Sequence, residues 1–186
     1  MLERLEAKSI VSVESNSRAF LKCLVVKELL SLQRVSFLYG DFIEYLKETE
    51  QTFEICLASG VLYHMRNPAE LIELLSRVCQ EHLLIWTHYF DRDILEKDPA
   101  FERRFPETVT ADHKGFKHTL YRTEYLEALD WKGFCGGNTS YTCWMSREDI
   151  FRCLEYFDFE PLKISFDEPL HQNGPALAIL ARRKNG

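Results

Sequence analysis

The stretch Phe53-Glu-Ile-Cys-Leu-Ala-Ser-Gly-Val-Leu-Tyr-His-Met-Arg-Asn-Pro68 decides how this chain is read. Phe53 to Ala58 is an apolar run of strand length, and Ser59-Gly60 ends it. Asn67-Pro68-Ala69-Glu70 marks a helix start, with Asn67 as cap, Pro68 in the first turn and Glu70 reaching back. Leu71, Leu74, Leu75 and Val78 follow at helical spacing. In an open α/β sheet, ligands bind beyond the carboxyl ends of the strands. The loop from Ser59 to His64 is therefore where a site is expected. Gly60 lets the backbone approach a ligand, Tyr63 offers a π-face and His64 offers titratable nitrogens.

Outward from this stretch the pattern alternates. Residues 1–7 carry Met1, Leu2 and Leu5 on one stripe of a short helix. Ser9 to Val13 reads as a strand running into the turn Glu14-Ser15-Asn16. Ser15 or Ser17 is expected to cap the next helix, whose Phe20, Leu21, Leu24, Val25 and Leu29 share a face. Val35 to Tyr39 is a second strand, stopped by Gly40-Asp41, and Phe42 to Lys47 a turn of helix. Beyond the helix at Pro68, His82 to Thr87 is another strand, ending at His88-Tyr89. Strand and helix in alternation predict an α/β, Rossmann-like doubly wound, mostly parallel sheet with helices on both faces.

From 90 to 141 the periodicity fails, amid charge, aromatics and the breakers Pro99, Pro106, Gly115, Gly133, Gly136 and Gly137. Such a segment is expected to be an irregular lid or substrate insertion within a single domain spanning 1–186. Ser146-Arg-Glu-Asp149 starts a capped helix bearing Ile150, Leu154 and Phe157. Phe159–Phe166 and Ala176–Ala181 then form an expected antiparallel hairpin.

At 186 residues and 46% hydrophobic, the chain can bury one ordinary core. The formal charge of -6 argues against non-specific nucleic-acid binding. Six cysteines (Cys23, Cys56, Cys79, Cys135, Cys143 and Cys153) include no CxxC pair; reduced thiols in a cytoplasmic protein are expected. No apolar run reaches membrane-spanning length, and the first residues are not a signal peptide.

Three successive strand ends carry polar signatures: Glu14, then Gly40-Asp41-Phe42, then Ala58-Ser59-Gly60-Val61-Leu62-Tyr63-His64. In this order, and with a terminal hairpin, the chain resembles the class I S-adenosylmethionine-dependent methyltransferases. The Gly-Val-Leu-Tyr-His loop before Pro68 is most similar to the branch near the tRNA wobble-uridine carboxymethyltransferases. The resemblance spans residues 1 to 90 well and 140 to 182 by pattern. It implies S-adenosylmethionine as cofactor, with Glu14 taking the ribose hydroxyls, Asp41 the adenine amino group and Phe42 flanking the base. Ala58, Ser59 and Gly60 would face the methionine portion. Tyr63 and His64 become the candidate catalytic residues, His64 as a base. The family's first strand and glycine-rich loop have no counterpart, so an N-terminally shortened chain is expected.

Each role has a plainer competitor. Glu14 could be a turn residue, Asp41 the cap of the next helix, and Tyr63 and His64 packing beneath the helix at Pro68. Tyr89, Tyr141 and Trp144 could line an acceptor pocket by stacking or fill the core of the insertion. His88, Asp91, Asp93, Asp112, His113 and His118 show no ligand spacing, and no metal is expected. A nicotinamide-dependent dehydrogenase shares the strand pattern, and a non-catalytic binding remnant would show an exposed apolar gap beside residues 9–14. The methyl acceptor, a small molecule or tRNA-like, stays open, as does assembly into a homo-oligomer.

Overall fold

The computed structural model describes residues 2–133 and 139–184. Met1 of the expected N-terminal stripe, and Cys135, Gly136 and Gly137, lie outside the described residues. The chain divides after Thr49 into two compact units.

In the first unit, a 3-10 turn (Leu2–Leu5) precedes β1 (Ile10–Glu14), α1 (Ser17–Leu29), β2 (Val35–Tyr39) and α2 (Phe42–Glu48). β1 and β2 form a two-stranded parallel sheet, with Ile10 opposite Val35 and Glu14 opposite Tyr39. The Glu3 carboxylate accepts the amides of Gln33 (2.8 Å) and Arg34 (3.0 Å) just ahead of β2. Asn16, rather than Ser15 or Ser17, caps α1, its Oδ1 accepting the Ala19 amide at 3.0 Å. Asn16 is the last extended residue before the helix, and the Glu14 Oε1 accepts its amide at 2.7 Å. Although Phe20, Leu21, Leu24, Val25 and Leu29 were read as one apolar face, no residue of α1 is buried, and Leu29 is 77% exposed. A two-stranded sheet offers too little surface to cover such a face.

The second unit holds a four-stranded sheet in the order β3 (Phe53–Ser59), β4 (Cys79–His88), β9 (Ala176–Arg183), β8 (Phe159–Glu168). β3 and β4 are parallel, while β4–β9 and β9–β8 are antiparallel, the latter being the expected hairpin. The register aligns Cys56, Leu83 and Ala181, then Ala58, Ile85 and Ile179, all buried. Over this face lie the buried sides of α3 (Pro68–Val78) and α6 (Arg147–Tyr156). The opposite face carries Ile55 and Leu57, 62% and 59% exposed, so in this unit helices cover one face and not both.

The described part of the segment expected to be irregular carries regular elements: α4 (Arg92–Leu95), α5 (Phe101–Arg104), β5 (Glu107–His113) and β6 (Phe116–Glu124), the two strands joining β7 (Tyr141–Trp144) in a separate antiparallel sheet. Lys114 (φ 50°) and Gly115 (φ 89°) make the two-residue turn joining β5 to β6, the left-handed pair that matches strand twist. Phe90, Leu95, Phe101, Phe105 and Trp144 form a core of its own. Asp149 ties α6 to β6: its carboxylate accepts the Thr119 amide at 3.1 Å and the Arg152 guanidinium at 2.6 Å. The five described cysteines are free thiols. Among the described residues no helix is long and apolar enough to cross a membrane.

Candidate functional site

The Ser59-Gly60 break forms as read. Gly60 has φ +72°, a conformation that favours glycine, and its amide donates to the Trp86 carbonyl at 2.9 Å. The turn is thereby bonded to the carboxyl end of β4. A 3-10 turn over Leu62–His64 follows, anchored by buried Leu62. β7 locks this turn from the other side: Thr142 Oγ1 donates to the Tyr63 and Met65 carbonyls, both at 2.7 Å, and the Cys143 amide donates to Met65 at 2.9 Å.

These restraints gather an aromatic and imidazole cluster at the strand ends. The Tyr63 ring lies 4.2 Å from His64 and meets His88 edge-on at 4.6 Å. His88 stacks on Trp144, rings 7° from parallel and 5.3 Å apart, and Trp86 and His171 stand 5.2 Å from it. His64 Nδ1 shares a 2.7 Å hydrogen bond with the Tyr125 hydroxyl. Burial first, and then the neighbouring His88, push the His64 pKa down to about 4, so its ring is neutral at pH 7.

His88 has a defined tautomer. Its Nδ1 faces the carbonyls of Gly174 (2.9 Å) and Pro175 (3.2 Å), which can only accept, so Nδ1 carries the hydrogen and Nε2 the lone pair. Burial lowers its pKa; the two carbonyls oppose that, and His171 and Arg104 add to it. The loop supplying these carbonyls joins β8 to β9. In it, Gly174 (φ +109°) packs so that a Cβ would stand 3.0 and 3.1 Å from the Trp144 ring.

Of the residues singled out from sequence, Tyr63, His64 and Trp144 come together here, and Ala58, Ser59 and Gly60 lead into them. Tyr89 does not join them: it is buried, its amide donates to Pro175, and burial and Asp167 push its phenol pKa up. The Tyr141 ring has the guanidiniums of Arg66 (4.4 Å) and Arg122 (4.1 Å) against it. In the first unit, Glu14 Oε1 accepts the Asn16 amide, and Asp41 caps α2, its Oδ1 accepting the Ile43 amide at 2.8 Å. One oxygen of each carboxylate lies outside these bonds. Phe42 opens α2. Among the described residues, no three His, Cys, Asp or Glu side chains gather as a metal-binding set.

Sequence reasoning passed over Trp86, Tyr125, His171 and Gly174, and treated His88 only as a metal candidate. The strand-end rule applied to β4 as it was to β3 would have marked Trp86 and His88. Tyr125, His171 and Gly174 carried no local signal.

No family model and no curated protein matches the sequence. Solved structures do match. The N-terminal domain of EvdMO1, solved in the presence of S-adenosylhomocysteine and D-fucose, superposes with a TM-score of 0.66 at 18% identity, covering 95% of this chain and 66% of that domain. An S-adenosylmethionine-dependent methyltransferase from Methanosarcina mazei gives 0.60 at 11% identity, over 96% of this chain and 83% of that one. Magnesium protoporphyrin IX methyltransferase from Synechocystis PCC 6803, with bound S-adenosylhomocysteine, gives 0.52 at 13% identity, over 87% and 57%. The chain shares the fold of these structures. The Rossmann-like α/β class read from the sequence is therefore the class observed. The chain spans slightly under two thirds of the EvdMO1 domain and less of the Synechocystis enzyme.

Proposed function

We propose that this chain is the body of an S-adenosylmethionine-dependent methyltransferase. The observation that carries the reading is the Gly60 turn, bonded to the end of β4 with Tyr63, His64, His88 and Trp144 around it, in a chain with the fold of these enzymes. The residues present fit the cofactor chemically. Glu14 and Asp41 each keep one carboxylate oxygen outside their local bonds, suited to ribose hydroxyls and the adenine amino group respectively. Gly60 presents backbone with no side chain, suited to the methionine portion. When bound, the cofactor supplies a methyl group already activated on sulfonium, so the chain's own work is orientation, exclusion of water and handling of any acceptor proton. His64, neutral and bonded to Tyr125, acts in this reading by orienting that phenol. Free thiols support a cytoplasmic setting.

The resemblance favours the wobble-uridine branch, whereas the D-fucose in the EvdMO1 domain structure favours a small hydroxylated acceptor. The chain's formal charge of -6 supports the small molecule. A non-catalytic binding role is the second reading, favoured by the exposed Leu21, Val25 and Leu29 on α1.

Calorimetric titration of S-adenosylhomocysteine into the chain separates the two. Binding that weakens roughly 10- to 100-fold in Glu14→Ala, the loss of one charged hydrogen-bonding group, supports the methyltransferase reading. Absence of binding by the folded chain supports the second.

A further inference from the structure

His88 is the group in the cluster whose chemistry the fold has set most fully. Two carbonyls of the β8–β9 loop hold Nδ1–H, Trp144 backs one face of the ring, and Tyr63 meets it edge-on. His88 is 5% exposed, and it ends β4 two residues beyond the carbonyl that anchors the Gly60 turn. The opposite nitrogen is thus a fixed lone pair on a fixed ring at the strand-end site. His64 is the weaker candidate for proton transfer, because its Nδ1 is engaged with Tyr125 and its basicity is low.

Resting on the methyltransferase reading, we propose that His88 Nε2 takes the proton of the methyl acceptor, and that the acceptor is a neutral hydroxyl compound. A neutral amine attacks without first losing a proton, and a thiol ionises near neutral pH. A hydroxyl is the common nucleophile that gains from a positioned base at the moment of attack. The O–H bond gives its proton to Nε2 and its electron pair to the new O–C bond, while the pair of the broken C–S bond stays on sulfur. The titratable and charged groups facing His88 are His64, His171, Tyr63 and Arg104. His171 Nδ1 accepts the Asn173 amide at 3.3 Å, so that ring is pinned in the opposite tautomer and supplies no competing lone pair at Nδ1. The loop from Leu170 to Pro175 is consequently a positioning element, and Gly174 its fixed point against Trp144.

The experiment has two readouts. Long-range nitrogen-15 histidine spectra of the wild-type chain across pH report the tautomer and pKa of His88 without any acceptor. The expected result is an Nδ1–H tautomer with a pKa under the ordinary histidine value. In parallel, S-adenosylhomocysteine affinity and methyl transfer to D-fucose, 4-nitrophenol, benzylamine and dithiothreitol are compared in wild type and His88→Asn. The asparagine amide can still donate to Gly174 and Pro175 but holds no base. Unchanged affinity with transfer to a hydroxyl probe reduced about 100-fold or more upholds the proposal. Wild type that binds no S-adenosylhomocysteine overturns the methyltransferase reading and the base role with it. Wild type that binds but shows the Nε2–H tautomer, methylates only the amine or thiol, methylates no hydroxyl probe, or transfers equally well as His88→Asn, overturns the His88 assignment alone. Should His88→Asn fail to fold, the wild-type spectra still decide the tautomer.

Discussion

Gly174 lies against the Trp144 indole so closely that a methyl group on its Cα would stand 3.0 Å from the ring. Trp144 in turn backs His88, so a loop joining two strands sets the position of a side chain at the end of a third. Gly174→Ala is expected to lower stability by roughly 1–3 kcal/mol, combining overpacking with a left-handed backbone. A fall in thermal midpoint, together with loss of the His88 tautomer preference in the nitrogen-15 spectra, checks this. A variant as stable as wild type would show that the loop is not pinned there.

Thr142 is fully buried, and its hydroxyl serves the carbonyls of Tyr63 and Met65. Thr142→Val keeps the shape and removes the donor. The expected cost is about 1–3 kcal/mol by urea unfolding, because the two carbonyls lose a buried partner. Hydrogen exchange at His64 and Met65, whose amides close the 3-10 turn, should accelerate in the same variant.

The pH dependence has a definite sign. The folded pKa of His64, about 4, lies below the ordinary histidine value of 6.5, so between the two the unfolded chain binds the extra proton. Stability from this group is complete above pH 6.5 and is lost as pH falls towards 4. His88 is shifted in the same direction and adds to the trend. Urea midpoints at pH 7.5, about 5.5 and about 4.5 should fall more steeply in wild type than in His64→Phe, where the His64 contribution of up to roughly 3 kcal/mol is absent. Equal slopes would place His64 in a wetter environment than the structure gives it.

Asp149 is 6% exposed and bonded to Thr119 and Arg152. Asp149→Ala strands the Thr119 amide and detaches α6 from β6, with an expected cost of about 2 kcal/mol. Arg152→Ala, whose side chain is half exposed, should cost well under half of that. Comparing the two by chemical unfolding tests whether the carboxylate's burial, and not the ion pair, carries the effect.

Much of the architecture was legible without coordinates. The Ser59-Gly60 break, the Asn67 cap with Pro68, the Ser146 cap and the terminal hairpin all depend on neighbours within a few residues, and all are present. The strands within 90–141 were not legible, because Pro99, Pro106 and the charges there obscure the two-residue alternation of Phe116, His118 and Leu120, which is visible once their burial is known. The exposure of the α1 stripe was not legible, because periodicity reports which side of a helix is apolar and says nothing of whether anything covers it.

Outside 90–141, the sequence by itself determined the elements, their order, and the strand-end loop where Tyr63 and His64 sit, because periods, caps and turn residues act locally. Only the tertiary structure decided what surrounds them. Tyr125 reaches His64 across 61 residues, and the Gly174 carbonyl reaches His88 across 86. Both depend on sheet order, on β9 lying beside β4 and β7 beside β6. Strand pairing at that range is settled by packing, loop closure and the burial of whole faces, and no spacing within the chain encodes it.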